Sequence, residues 1–233
     1  MGLGQRTLGL LLSSTRPRQY GFIGGSQSPI CCRIHEREII AHHTEGHHLN
    51  TTARIVLLNG VGSAGKGSLA RALQTITAEP FLHVTMDSFM AMLPEAYENH
   101  PDSFTYETVI EGGKPSVVIT TGPIGERTLR GMRYAVGALA AQGNNLIVDD
   151  VMLGGERAEY AAILSGFEVY WVGVFAPLDV LEDRERQRGD RLIGLARWQF
   201  DRVHNDMRYD LEIDTSTATP LACARRIKDK FNL

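Results

Sequence analysis

Lys66 is the residue from which the chemistry of this chain is best read. It directly follows Gly65 in the run Gly60-Val61-Gly62-Ser63-Ala64-Gly65-Lys66-Gly67-Ser68. Glycines at this spacing let backbone N–H groups turn inward around an anion, and the lysine adds a full positive charge. The spacing is that of a phosphate-binding P-loop, so all nine residues are candidates for binding a nucleotide. After the lysine such a loop normally carries Ser or Thr, whose hydroxyl reaches Mg²⁺. Here that place is taken by Gly67, and Ser68 stands one position later as the candidate metal ligand. The plainer alternative is a glycine-rich turn with no ligand.

Further candidates lie downstream. Asp87 ends the apolar run Phe81-Leu82-His83-Val84-Thr85-Met86. At the carboxyl end of a parallel strand it would stand near the loop and could act as general base toward a hydroxyl. Its plainer role is to cap the segment 88–93. Asp149 and Asp150 end a second apolar run, 145–148. After a phosphate loop, an acid in this place holds Mg²⁺ through its water shell. Asp149 is preferred, with Asp150 open. Arg184, Arg188 and Arg191 fall in the charged segment 182–191, where Arg184 and Arg188 share a helix face. Either they form a salt-bridged solvated helix or, behind a phosphate loop, a lid whose charge steadies a transferring phosphoryl group; the context favours the lid. Arg127, Arg130 and Arg133 form a second row, read as a solvated face. His204 reads as a helix-end cap.

These groups need elements to position them. Residues 55–58 (Ile-Val-Leu-Leu) read as a buried strand, and Leu69, Ala72, Leu73 and Ile76 begin a helical stripe after the loop. Further strands are expected at 81–87, 145–150, 169–175 and 211–215. Helices are expected from Pro123 to Gly143, from Gly155 to Gly166, from Pro177 onward, over 193–203 (Ile193, Ala196, Phe200, Val203), and from Pro220 to the end, the last facing inward with Leu221, Ala224, Ile227 and Phe231. Residues 94–122 show little period and read as a long connection. Strands alternating with helices predict a three-layer α/β fold with a five-stranded parallel sheet.

The chain has 233 residues, a net charge of −3 and three cysteines. Near-balanced charge gives no nucleic-acid footprint, and no apolar run approaches a membrane span. The adjacent pair Cys31-Cys32 is not a secreted disulfide framework, so the cytoplasm is the expected compartment. Residues 1–50 contain no lysine and no acid before Glu36, and read as a disordered or weakly ordered extension to a domain spanning 51–233. A targeting peptide, a start assigned too far upstream, and a metal site formed by the cysteines and the nearby histidines compete for this segment. The last lacks the cysteine spacing of a zinc site.

The runs LLNGVGSAGKGSLARALQ, MDSF around Asp87, IVDDVMLGG, VYWVGVFAPLDV, EDRERQRGDR and YDLEIDTS together resemble the chloramphenicol phosphotransferase family, from about Arg54 to the C-terminus. The resemblance implies a P-loop kinase relative that moves the γ-phosphoryl group of ATP, with Mg²⁺, to a hydroxyl of a small acceptor, chloramphenicol-like. It implies Asp87 as the base. Gly67 stands where the family has Ser, and 94–122 departs from the family pattern. On this reading 60–68 wrap the phosphates, Lys66 neutralises them, Ser68 and Asp149 steady the metal, and Arg184, Arg188 and Arg191 close over the site. Two alternatives remain, a kinase for another hydroxyl compound or nucleotide, and a nucleotide-binding regulatory module that catalyses nothing.

Overall fold

The computed structural model describes residues 52–189 and 191–233. The expectations for residues 1–50, the extension and its competing readings, lie outside the described residues. The described residues belong to one compact unit, Thr51–Leu233.

Five strands build the main sheet: β1 (Arg54–Asn59), β2 (Phe81–Thr85), β5 (Asn145–Asp150), β6 (Glu168–Phe175) and β7 (Leu211–Asp214). Their order is β2-β5-β1-β6-β7, and every pairing is parallel. Strand β1 is central because it is apolar on both faces. Ile55 and Leu57 point to one side with Leu146, Val148 and Trp171, against Met132 and Val136 of helix α3 (Pro123–Ala141) and Tyr160 of α4 (Glu156–Ile163). Val56 and Leu58 point to the other, against Leu69 and Leu73 of α1 (Lys66–Gln74) and Ala224 and Ile227 of α7 (Pro220–Phe231). The two-residue period of a strand thus feeds two cores and produces three layers.

The termini of these helices follow their sequence signals. Pro123 and Pro220 occupy first-turn positions, and the Thr219 hydroxyl accepts from the amide of Ala222. Two expectations shift. Leu221 is exposed, and Cys223 takes the inward place beside Ala224 and Ile227. The helix expected over 193–203 is regular only in α6 (Leu195–Phe200), with Ile193 and Phe200 exposed and turns beyond it.

The segment 94–122 is not a plain connection. Strands β3 (Phe104–Glu111) and β4 (Lys114–Thr121) form an antiparallel hairpin turned at Gly112-Gly113. Both glycines have positive φ, 56° and 78°, as a two-residue hairpin turn requires. The hairpin docks on the segment between α5 (Leu178–Arg188) and α6, where the amide of Val117 donates to the carbonyl of Gly194 at 3.0 Å. Gly194 has φ +105°, and a Cβ there would lie 2.6 Å from the Pro115 carbonyl oxygen; only glycine permits both. Glu182 of α5 pairs with Lys114 at 3.3 Å and with Arg197 of α6. Glu185, almost fully buried, accepts from the amides of Gly194 and Ala196, each at 2.8 Å.

Glu185 therefore ties α5 to the start of α6. Glu185→Ala removes two charge-assisted bonds and leaves buried amides unpaired, with an expected loss of about 3 kcal/mol of stability. Urea denaturation of the two proteins measures it; an unchanged midpoint would remove Glu185 from this role.

Candidate active site

The loop 60–65 leaves the end of the central strand and enters α1. Gly65 is the N-cap of α1 and offers no side chain to its first amides. Those amides and the positive end of the helix are left for an anion. Lys66 is buried at 7 % exposure and folds back across the loop. Its Nζ donates to the carbonyls of Gly60 at 2.7 Å and Val61 at 3.2 Å, and lies 3.6 Å from Asp149 Oδ1.

Asp149 is the penultimate residue of β5, level with Leu58 of β1 and Thr85 of β2. It faces a cavity of about 550 Å³ that Lys66, His83, Asp87, Arg188 and Arg191 also line. Asp150 points away from it. Buried, it accepts from the Tyr160 hydroxyl at 2.9 Å and from the Val151 amide, and burial holds its carboxyl above the usual carboxylate range. Asp150 serves the packing of α4.

Asp87 does not end a strand. Strand β2 stops at Thr85, and Asp87 lies in the first turn of a short helix, α2 (Met86–Met90). The cap is Thr85, whose hydroxyl accepts from the Ser88 amide at 3.1 Å. Asp87 is left about half exposed, and its Oδ2 accepts from Arg191 at 2.5 Å. Arg191 comes from beyond the C-terminus of α5, so this bond joins the segment after α5 to Asp87 across the cavity. Hairpin residues form the facing wall. Phe104 and Tyr106 pair in register with Thr121 and Ile119, and all four line the cavity. Burial, then the charge of Asp87, pushes the Tyr106 hydroxyl up.

A second cavity, about 430 Å³, adjoins the outer side of the loop and is lined by Ser68, Arg184, Arg188 and Thr215 among others. Arg184 donates to the Thr215 hydroxyl at 3.0 Å and to its carbonyl at 2.8 Å, and that hydroxyl donates to the Ala64 carbonyl at 2.8 Å. Arg184 thus braces the loop from outside. Ser68 is exposed. The position beside Asp149 is 67, where a Cβ would lie 3.6 Å from Asp149 Oδ2. A hydroxyl at 67 would face the acid; Ser68 opens on the outer cavity as well. In the arginine row of α3, Arg133 and Arg130 pair with Glu159 of α4 at 2.5 and 3.5 Å, and Arg127 is exposed.

Several groups around the loop carry no sequence signal. Gln199 of α6, buried, accepts from the Gly62 amide at 2.7 Å. Asn59 donates to the carbonyl of Val203 and to the Tyr209 hydroxyl, each at 2.8 Å, and accepts from the Met152 amide. His204 is no helix cap. Its ring stacks on Phe175 at 3.9 Å, and its Nδ1 meets the Tyr209 hydroxyl at 2.7 Å. Burial and then the charge of Lys66 lower its pKa to about 4. A lone polar residue inside an apolar stripe has no periodicity to betray it.

Asp149 fits a hard divalent cation that takes one carboxylate and relies on substrate phosphates for the rest. Among the described residues no three His, Cys, Asp or Glu side chains converge, so the chain offers a partial shell that phosphates would complete. Among the described residues, too, no helix is long and apolar enough to cross a membrane.

Solved structures with this fold include kinases of small molecules. A sugar kinase from Janibacter sp. HTCC2649 matches with a TM-score of 0.55 at 18% identity, covering 77% of this chain and 95% of that one. The Mycobacterium tuberculosis APS kinase, in complex with AMPPNP and APS, matches with a TM-score of 0.54 at 15% identity, covering 78% and 99%. Shikimate kinase from Acinetobacter baumannii matches with a TM-score of 0.51 at 14% identity, covering 78% and 94%. At these identities the likeness establishes the P-loop kinase fold alone. A nearer relative is a Mycobacterium tuberculosis (strain ATCC 25618 / H37Rv) protein named "Putative O-phosphotransferase", 34% identical over 185 residues, 76% of this chain and 82% of that one. Residues 53–232 match the family described as "Chloramphenicol phosphotransferase-like protein". That match takes in the loop, Asp87, Asp149, Arg184, Arg188, Arg191 and the hairpin, and the chain belongs to the chloramphenicol phosphotransferase-like family.

Proposed function

We propose that this chain transfers the γ-phosphoryl group of ATP to a hydroxyl of a small molecule with a largely apolar body. The observation that carries the reading is that Lys66 and Asp87 line one cavity, with a helix N-terminus free of any side-chain cap between the loop and that space. Family membership supports the ATP-dependent kinase class, and chloramphenicol is the first acceptor to test. The cavity wall of Met86, Met90, Phe104, Tyr106, Ile119 and Leu129 suits an apolar body better than a polyhydroxylated one.

The roles follow from position. Amides of 60–68 cradle the β- and γ-phosphates, and Lys66 turns from the Gly60 and Val61 carbonyls to the phosphate oxygens. Asp149 stands on the cation side. When bound, Mg²⁺ would neutralise charge developing on the bridging phosphate oxygens. We assign Ser68, which opens on both cavities and stands one position beyond the place beside Asp149, to phosphate binding in preference to the cation. Asp87 accepts the proton of the acceptor hydroxyl as the acceptor oxygen–phosphorus bond forms and the bond from phosphorus to the β-phosphate oxygen breaks. Arg191 holds Asp87 before the acceptor arrives. Arg188, lining both cavities, supplies charge to the transferring group and with the lid keeps out water, which would otherwise accept it.

Mass spectrometry of chloramphenicol and a panel of other alcohols, after incubation with ATP, Mg²⁺ and the protein, tests the activity. A singly phosphorylated product is expected. Asp87→Asn should lower kcat by about 10² to 10⁴ with ATP affinity nearly intact; full turnover in this variant would take the base role from Asp87. Lys66→Ala should abolish detectable transfer. Arg188→Ala should lower kcat by about 10³, and a change confined to the KM for the acceptor would place Arg188 in binding alone. ATP bound tightly, with no acceptor phosphorylated by the wild type, would return the chain to the regulatory-module reading.

A further inference from the structure

Two features of the cation side stand unexplained. The first is the absence of a hydroxyl at 67, the position whose Cβ would sit 3.6 Å from Asp149 Oδ2. The second is His83. It lies on β2, one pair of residues from the strand end, and lines the same cavity. Its Nε2 is buried with no hydrogen-bond partner and lies 3.9 Å from the same oxygen, Asp149 Oδ2. A buried nitrogen left unpaired costs free energy and calls for a partner that the polypeptide does not provide. The donor missing from the loop and the donor idle on the strand face one carboxylate oxygen.

We infer that His83 replaces the loop hydroxyl, so that His83 and Asp149 together form the protein's share of the divalent-cation shell. Two bonds of about 2.1 Å to one cation separate donor atoms by about 3 Å at the right angle of an octahedral shell. The two donors stand 3.9 Å apart, so binding a cation would draw them together by roughly 0.9 Å. The tautomer with Nε2 unprotonated offers its lone pair toward the carboxylate, and a cation would satisfy both. Arg71 approaches the same space, its Nη1 3.8 Å from the position of a Cβ on Gly67. It is exposed, so its long side chain is free to swing toward solvent. An imidazole donor changes the cation preference. Nitrogen favours Mn²⁺, and more so Co²⁺, over Mg²⁺, which prefers oxygen. The nucleotide complex of this chain is therefore expected to take these ions more tightly, relative to Mg²⁺, than a loop with Ser or Thr at 67 does.

This inference rests on the nucleotide-binding reading, and its test separates the two. Binding of a non-hydrolysable ATP analogue is first measured in EDTA, then Mn²⁺ is titrated into the complex and followed by electron paramagnetic resonance. His83→Ala should leave the metal-free analogue affinity unchanged and weaken Mn²⁺ binding about 10-fold or more. The same variant should narrow the preference for Co²⁺ over Mg²⁺. Gly67→Ser in the His83→Ala background should recover Mg²⁺ binding. With ¹⁵N-labelled histidine, pulsed spectra of the wild type should show nitrogen coupling to Mn²⁺ that His83→Ala lacks. Equal Mn²⁺ affinities in wild type and His83→Ala, with the analogue bound to both, would overturn the assignment of His83 alone. A wild type that binds no analogue would overturn the nucleotide reading and this inference with it.

Discussion

A lysine ammonium taken out of water must be compensated by acceptors and opposite charge. Lys66 meets that demand with two loop carbonyls and the carboxylate of Asp149. The three partners come from the end of β1 and the end of β5, so they meet only when those strands lie side by side and in register. The parallel pairing that sets Leu58 level with Asp149 is thus a precondition of the charge at the centre of the site. The two apolar cores on either side of β1 supply the energy that holds this register. The site is electrostatic, and its support is hydrophobic.

Around that centre the loop is held from two sides by groups remote in sequence. Thr215, steadied by Arg184, bonds the Ala64 carbonyl, and Gln199 bonds the Gly62 amide. These braces fix the curvature of a glycine-rich segment that would otherwise lose much entropy on ordering. Gln199 belongs to α6, whose first amides are held by Glu185 of α5 and whose preceding residue, Gly194, carries the hairpin. One short helix therefore touches the phosphate loop at one end and the hairpin at the other. Displacement of α6 would be felt in both walls of the cavity.

The central sheet and the helices packed on it could be read from the chain because burial on both faces writes continuous apolar runs, and helices facing a sheet write a 3.6-residue stripe. The phosphate loop was legible for a different reason: its chemistry constrains residue type and spacing together. The hairpin escaped because Pro115 and the polar residues of β3 blur the alternation, although Gly112-Gly113 between β-branched residues was a usable turn signal. Asp87 was expected at the end of a strand and lies instead in the first turn of α2, since Met86 looks like strand. Asn59, His83, Gln199 and the His204–Tyr209 pair could not be found. Their surroundings come from remote parts of the chain, and only the assembled tertiary structure brings those parts together.

The hairpin meets the segment between α5 and α6 mainly through its backbone, by the Val117 amide on the Gly194 carbonyl and the close approach of Pro115 to Gly194. A main-chain anchor is set by backbone geometry and not by the side chains of Tyr106, Ile119 and Thr121, which line the cavity. Exchange at those three positions would leave the anchor in place, whereas Phe104 is buried and its ring lies against Gly125. The wall of the cavity and its attachment are thus separate properties of one hairpin: the backbone fixes where the wall stands, and the side chains fix its texture.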